Sequence, residues 1–175
     1  MSDFEPDPQD LCPLVLAEWD RGHATTTGIV RAHTAAGLIL TEIDDLSAQA
    51  GLVWISGNEL LEVDNLDDDD MFVRIATLRG ERQGTVDPDL TWVDSLVAHL
   101  ADLNLLIMIF QSRTGSREGL VGRITRVRDG MVHLDEIGPD ARPTGDPLEL
   151  ALTELISVEW GTDYLRGLTD LLEAG

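Results

Sequence analysis

The chain contains two copies of one pattern. Residues 28–43 (GIVRAHTAAGLILTEI) align without a gap with residues 122–137 (GRITRVRDGMVHLDEI), and residues 58–63 (NELLEV) align with residues 153–158 (TELISV) after a loop that differs by one residue. The matched positions are Gly28 with Gly122, Val30 with Ile124, Leu38 with Val132, Leu40 with Leu134, and Glu42 with Glu136. Self-similarity of this kind indicates a tandem duplication in which each copy forms one structural unit.

Short apolar or β-branched runs separated by turn residues predict that each copy is built mainly from strands. In the first copy we expect five strands, at residues 14–19, 25–30, 38–43, 52–56 and 60–63. The second copy repeats that order from residue 105, and its Asp129-Gly130 pair is typical of a hairpin turn. A run with helical spacing follows the strands in both copies, at residues 72–79 and 163–172.

This pattern divides the chain into four parts. Residues 1–13 are acidic and contain three prolines, so we expect a disordered lead-in. Residues 14–80 form the first unit, and residues 105–175 form the second. Residues 81–104 begin as a charged linker and continue as a bridging helix, for which Thr91 is the expected cap.

One short segment resembles a known family. Ile55-Ser56-Gly57-Asn58, followed by apolar Leu60 and Val63, is similar to the second signature of Sm-like proteins, an Ile-Arg-Gly-Asn segment with apolar residues at the same offsets. The resemblance implies a small barrel of the Sm-like or SH3-like kind. We therefore expect a mainly β (α+β) fold: a tandem duplication of a five-stranded small β-barrel unit, each closed by a C-terminal helix, with a bridging helix between the units.

The same comparison implies no RNA site. Ser56 stands where the family has its RNA-contacting arginine, and the turn at residues 35–37 lacks the family's asparagine. In the second copy, Leu152 replaces the glycine of the signature. The resemblance therefore carries over to the fold and to none of the family's binding residues.

The charge points to the same exclusion. There are 33 acidic residues against 12 basic ones, all of them arginine, which leaves a formal net charge of −21. Such a surface repels nucleic acid and anionic lipid, because both are bound by neutralising phosphates with Lys and Arg. A basic protein partner fits better. The competing interpretation is that acidity and the absence of lysine reflect the composition of the host proteome.

The sequence predicts a cytoplasmic protein with no membrane segment. The longest apolar run, residues 105–110, is much shorter than the roughly 20 residues that a membrane span needs. A single Cys12 cannot form an internal disulfide, and the first residues lack the pattern of a secretion signal. A reducing compartment is therefore the expected location.

The run of four carboxylates, Asp67, Asp68, Asp69 and Asp70, is the strongest candidate for binding a cation or a basic ligand. Its spacing does not fit a calcium loop, and acidic residues also favour the start of a helix. The four histidines are dispersed, and no catalytic or phosphate-binding motif is present. We predict no catalytic residues, no metal and no cofactor. Other acidic loops lie at residues 44–45 and 135–136.

Two tryptophans are candidates for anchoring a partner. Trp54 alternates with Val53 and Ile55, which we assign to the core, and Trp92 precedes the apolar stripe of the bridging helix. Both are therefore expected to be exposed, and exposed aromatic side chains are frequent at protein interfaces.

These observations favour a non-enzymatic acidic binding or scaffolding module that engages a protein partner with a basic surface. A narrower alternative is a charge mimic, an inhibitor or immunity-type protein that covers a nucleic-acid-binding site. Another alternative is an enzyme, or a regulatory subunit of one, with a site at the interface of the two units or between protomers. The sequence leaves homo-oligomerisation open.

Overall fold

The computed structural model describes residues 11–20, 24–43, 49–111, 119–145 and 147–174. Strands dominate these residues, and the chain divides into two compact units, Met1–Thr91 and Trp92–Gly175. The first unit contains β1 (Leu14–Trp19), β2 (Ala24–His33), β3 (Gly37–Ile43), β4 (Gln49–Ser56), β5 (Leu60–Asn65), α1 (Met71–Leu78) and a 3-10 segment (Pro88–Thr91). The second contains α2 (Val93–Leu103), β6 (Leu106–Gln111), β7 (Leu120–Arg128), β8 (Met131–Glu136), β9 (Leu148–Ala151), a 3-10 turn (Leu152–Glu154), β10 (Leu155–Trp160) and α3 (Asp163–Ala174).

In the first unit the strands pair in the order β5-β1-β2-β3-β4, all antiparallel. Helix α1 packs on this sheet through Val73 and Ala76, which join Leu14, Ile29 and Ile43 in one buried cluster. Helix α1 is amphipathic, so one face enters this cluster while its other face stays in solvent. The helix thus covers the part of this sheet face that contains Leu14 and Ile29, while Leu16 on the same face remains 39% exposed.

In the second unit the order is β10-β6-β7-β8-β9. Helix α3 buries Leu165 and Leu168 against Leu106 and Val121, the same role that α1 has in the first unit. Helix α2 packs against β7 and buries Leu96, Val97 and Leu100.

The two aligned stretches form the same hairpin. Val30 pairs with Leu40 in the first copy and Ile124 pairs with Leu134 in the second, and a bulge of one residue follows each pair. The turn contacts are also the same. The amide of Gly57 donates to the carbonyl of Ala36 (3.0 Å), and the amide of Leu152 donates to that of Gly130 (2.9 Å).

The expected pair of closed barrels is wrong. In the described residues the antiparallel strands do not close into barrels. The strands at the two ends of each unit's order, β5 and β4 in the first and β10 and β9 in the second, do not pair with each other. A closed first unit would need a ladder between β4 and β5. Instead the short turn after β4 carries the chain to the opposite end of the order, where β5 pairs with β1. The fold is therefore sheet-dominated, with short helices, and is not a pair of barrels.

The segment expected to be a linker is held by the first unit. The amide of Cys12 donates to the carbonyl of Arg82 (2.8 Å), and the amide of Val86 donates to that of Arg31 (3.2 Å). The expected cap of the next helix is also different, because Trp92 occupies the N-cap position of α2. The hydroxyl of Thr91 shares a hydrogen bond with the hydroxyl of Thr34 (2.7 Å) and donates to the carbonyl of Pro88 (2.8 Å).

Two aligned glycines allow the paired strands to approach closely. A Cβ on Gly28 would lie 2.7 Å from the carbonyl oxygen of Thr41, and one on Gly122 would lie 2.4 Å from that of Asp135. Backbone atoms on both sides must shift to relieve such a contact. We expect Gly122→Ala to lower the free energy of unfolding by about 1–3 kcal/mol, measured by urea denaturation. Gly167→Ala is the control, since no atom lies within 4 Å of that site in α3 and alanine favours the helix; equal losses in both variants would contradict the close-approach argument.

None of the described helices is long and apolar enough to cross a membrane.

Candidate binding surface

The four consecutive aspartates begin a helix. Asp70 is the N-cap of α1, and its Oδ1 accepts a hydrogen bond from the amide of Phe72 (2.8 Å). The amide of Asp70 donates in turn to the carbonyl of Asp67 (2.9 Å). Asp67, Asp68 and Asp69 are exposed. Asp70 thus has a structural role in capping, while the other three contribute negative charge beside β5.

The two candidate tryptophans differ in environment. Trp92 is 57% exposed, as expected. The expectation that Trp54 is exposed is wrong, because only 2% of it is accessible and its Nε1 donates to the carbonyl of Thr91 (2.7 Å). The 3-10 segment covers the side of β4 that strand alternation assigns to solvent. Trp54 is therefore part of the interior, and only Trp92 is available to a partner.

His33, His99 and His133 belong to the described residues, whereas His23 lies outside them. Burial lowers the pKa of His33 below its usual value, so this side chain stays neutral near neutral pH. His99 is exposed on α2, and His133 lies 3.6 Å from a carboxylate oxygen of Glu149. Among the described residues no three His, Cys, Asp or Glu side chains form a group that could hold a metal ion. The acidic residues Asp44 and Asp45 lie outside the described residues.

Arg31, at the bulge of β2, donates four side-chain hydrogen bonds to described residues of the first unit. Its Nε donates to Thr41 Oγ1 (2.6 Å), and its two NH groups donate to the carbonyls of Glu81 (2.9 Å), Gln83 (2.6 Å) and Gly84 (2.8 Å). Burial lowers the pKa of Arg31 below its usual value, while Cys12 and Glu81 act to raise it. The guanidinium remains charged and all of its bonds are internal, so Arg31 holds the fold and is not a ligand site.

The open part of the first unit's sheet carries an acidic face, which we define as Leu16 and Glu18 on β1 with Glu62 and Asp64 on β5. Leu16 pairs with Asp64, and Glu18 pairs with Glu62. Paired residues share one side of a sheet, so all four side chains project from the same surface. Leu16 is 39% exposed, and Thr25 and Thr27 of β2 border it. The face therefore contains an accessible apolar side chain with carboxylates beside it on β1 and β5 and threonines beside it on β2.

Two of these carboxylates oppose each other directly. Cβ atoms of cross-strand partners are separated by about 4.5–5.5 Å, and like charges at that separation destabilise a sheet. Among the described residues, Glu18, Glu62 and Asp64 form no ion pair that would offset this repulsion. A cationic group placed between them would gain two favourable interactions at once.

The surrounding charge has the same sign. Residues 1–91 hold 19 of the 33 acidic residues and 5 of the 12 arginines, a formal charge of −14, whereas residues 92–175 have a formal charge of −7. Of those five arginines, Arg31 is buried and Arg82 donates to the carbonyl of Cys12 (2.9 Å). The first unit therefore has twice the formal negative charge of the second.

Comparisons of this chain with protein-family models, with curated proteins and with solved structures give no match. The resemblance to Sm-like proteins stays a prediction.

Sequence reasoning missed the acidic face. Glu18 and Glu62 are separated by a long stretch of chain, and only the register between β1 and β5 brings them opposite each other. One signal was present in the sequence, since Leu16 and Glu18 alternate with inward-facing Val15 and Ala17. That pattern identifies an outward face but not the strand that lies beside it.

Proposed function

We propose that this protein is a non-enzymatic acidic binding module whose acidic face engages a basic surface on a partner protein. The observation that carries the proposal is the direct opposition of Glu18 and Glu62. Repulsion between the two carboxylates lowers the stability of the free protein, and an arginine or lysine of a partner would offset that repulsion. Leu16, next to Glu18 on the same side of β1, offers an apolar surface for the aliphatic part of such a side chain.

The formal charge of −14 on residues 1–91 supports the same partner class. A field of one sign steers oppositely charged proteins toward the surface and raises the association rate, and salt screens this effect. Direct charge-assisted hydrogen bonds at the acidic face then determine the dissociation rate of the complex. Binding should thus be fast and weakened by salt.

We place this activity in the cytoplasm. Cys12, the single cysteine, is a buried free thiol, as expected for a protein that works in a reducing compartment. The proposal requires no cofactor and no metal.

The test compares two variants that change the net charge equally. Glu18→Gln with Glu62→Gln removes the opposed pair, and Asp102→Asn with Glu173→Gln removes two exposed charges on α2 and α3. Proteins captured from host extract at low salt and released at high salt are identified, and the affinity of a purified captured protein is measured for both variants. We expect the first variant to lose at least about ten-fold in affinity, since charge-assisted hydrogen bonds contribute roughly 1.5–3 kcal/mol each.

The control variant should remain within about two-fold of the parent affinity. The first variant should also fold at least as stably as the parent, because a repulsive pair has been removed. Equal losses in the two variants would mean that only net charge matters, and the acidity would then reflect the proteome. Failure to capture any basic protein would reject the proposal.

A further inference from the structure

Strand β5 ends the strand order of the first unit. It pairs with β1 on one side, and among the described elements β1 alone contacts it extensively. A strand in this position presents a row of backbone groups that another extended chain can pair with. The acidic face lies along this strand, because Glu62 and Asp64 belong to it.

The register shows which backbone groups of β5 face away from β1. The amide of Leu66 donates to the carbonyl of Leu14 (2.9 Å). In an antiparallel ladder the backbone direction alternates from residue to residue, so Asp64 and Glu62 also turn their amides and carbonyls toward β1. Val63 and Asn65 therefore turn theirs toward the unpaired edge.

The two sides of this edge differ in chemistry. Glu62 and Asp64 project from the acidic face, while the alternate residue Val63 projects to the core side and is half-buried. Leu61, at the bulge in the pairing with β1, is 57% exposed. A strand laid beside β5 would thus meet the carboxylates of Glu62 and Asp64 on one side and Val63 with Asn65 on the other.

We propose that the edge of β5 binds an extended segment of the basic partner as an added strand, with basic residues on the acidic face and apolar residues alternating with them. This inference rests on the proposed function and specifies how the partner is held. Backbone hydrogen bonds to Val63 and Asn65 supply affinity, and the alternation of side chains supplies specificity.

Charge argues for such a partner over a second copy of this chain. A second copy carries a net charge of −21, and Glu149 lies on β9, the strand that ends the order of the second unit. An acidic strand beside Glu62 and Asp64 would add repulsion. A segment rich in Arg or Lys removes it.

The first test is Val63→Pro. Because the amide of Val63 faces away from β1, proline removes an outer donor and blocks the edge without breaking the ladder to β1. The probe is a fluorescein-labelled ten-residue peptide of alternating Arg and Val, and binding to the full chain is followed by fluorescence anisotropy. Val63→Thr, which keeps the amide and the β-branched shape, is the control. We expect at least about ten-fold weaker binding for Val63→Pro and a change of less than about three-fold for Val63→Thr.

A second test does not depend on how the variant folds. Two further peptides carry N-methyl groups on all arginines or on all valines. Only one edge of an added strand faces β5, so one methylated peptide should lose at least about ten-fold in affinity and the other should bind within about three-fold of the parent peptide. Equal behaviour of the two peptides would overturn the proposal.

Sedimentation without peptide gives the remaining outcome. A dimer that Val63→Pro dissociates would show that a second copy occupies the edge, and the proposal would be rejected.

The experiments also distinguish failure of the added-strand proposal from failure of the proposed function. If a basic protein binds in a way that depends on Glu18 and Glu62 but not on Val63 or on peptide methylation, the proposed function stands and the added strand does not.

Discussion

Arg31→Met should lower the free energy of unfolding by about 3–5 kcal/mol. The side chain donates to three carbonyls of residues 81–84 and to the hydroxyl of Thr41, and these four hydrogen bonds are lost in the variant. Hydrogen bonds to a charged group contribute roughly 1.5–3 kcal/mol each, and the desolvation of the guanidinium, visible in its lowered pKa, offsets part of that sum.

Urea denaturation measures this loss, with Arg74→Met as the control, because Arg74 is exposed on α1. We expect the control to change stability by less than about 0.5 kcal/mol. Hydrogen exchange gives a local readout: the amide of Cys12, bonded to Arg82, should exchange faster once residues 81–84 are released. If Arg31→Met were as stable as Arg74→Met, the segment would be held by its other contacts, and the role assigned to Arg31 would be wrong.

Trp54→Ala should have an effect of similar size, a loss of about 3–5 kcal/mol, because truncation of a large buried aromatic side chain leaves a cavity. The indole also donates to the carbonyl of Thr91 (2.7 Å) and packs against Gly37, where an added Cβ would lie 2.6 Å from Nε1. Trp54→Phe separates the two contributions, since it keeps most of the volume and removes the donor.

Thermal or urea unfolding of Trp54→Phe should show a loss of about 1–3 kcal/mol, the range for an unsatisfied buried acceptor combined with a smaller ring. The matched control is Trp92→Phe, which alters a 57% exposed side chain and should change stability by less than about 0.5 kcal/mol. The burial argument predicts a clear difference between the two positions. Equal losses at residues 54 and 92 would contradict it.

The elements predicted best from sequence are those fixed by local patterns. The bounds of β1 match the expected residues 14–19, and the hairpin that contains Asp129-Gly130 forms at the expected place. Helix α1 covers Met71–Leu78, close to the expected 72–79. In each case the signal lies within a few residues, in apolar periodicity or in turn chemistry, so no distant contact is needed to specify the element.

The errors arise where distant segments decide the outcome. Alternation along β4 predicted that Trp54 faces solvent, and this was wrong because alternation contains no information about the 3-10 segment that covers the side chain. Whether five strands close into a barrel depends on pairing between the two strands at the ends of the strand order, here β4 and β5, and local patterns do not encode that pairing. Glu18 and Glu62 belong to the same class, because only a non-local register brings them together.

The bulge that both copies share creates equivalent backbone positions with different uses. Arg31 is the extra residue in the first copy and ties down residues 81–84, while Thr125 takes that place in the second, where it is exposed. The hydrogen bonds of Arg31 fix residues 81–84 on the sheet. The entropic cost of closing a loop grows only slowly with the length of the loop. The first copy can therefore accept insertions between α1 and the 3-10 segment with little loss of order, provided that three carbonyls still return to Arg31.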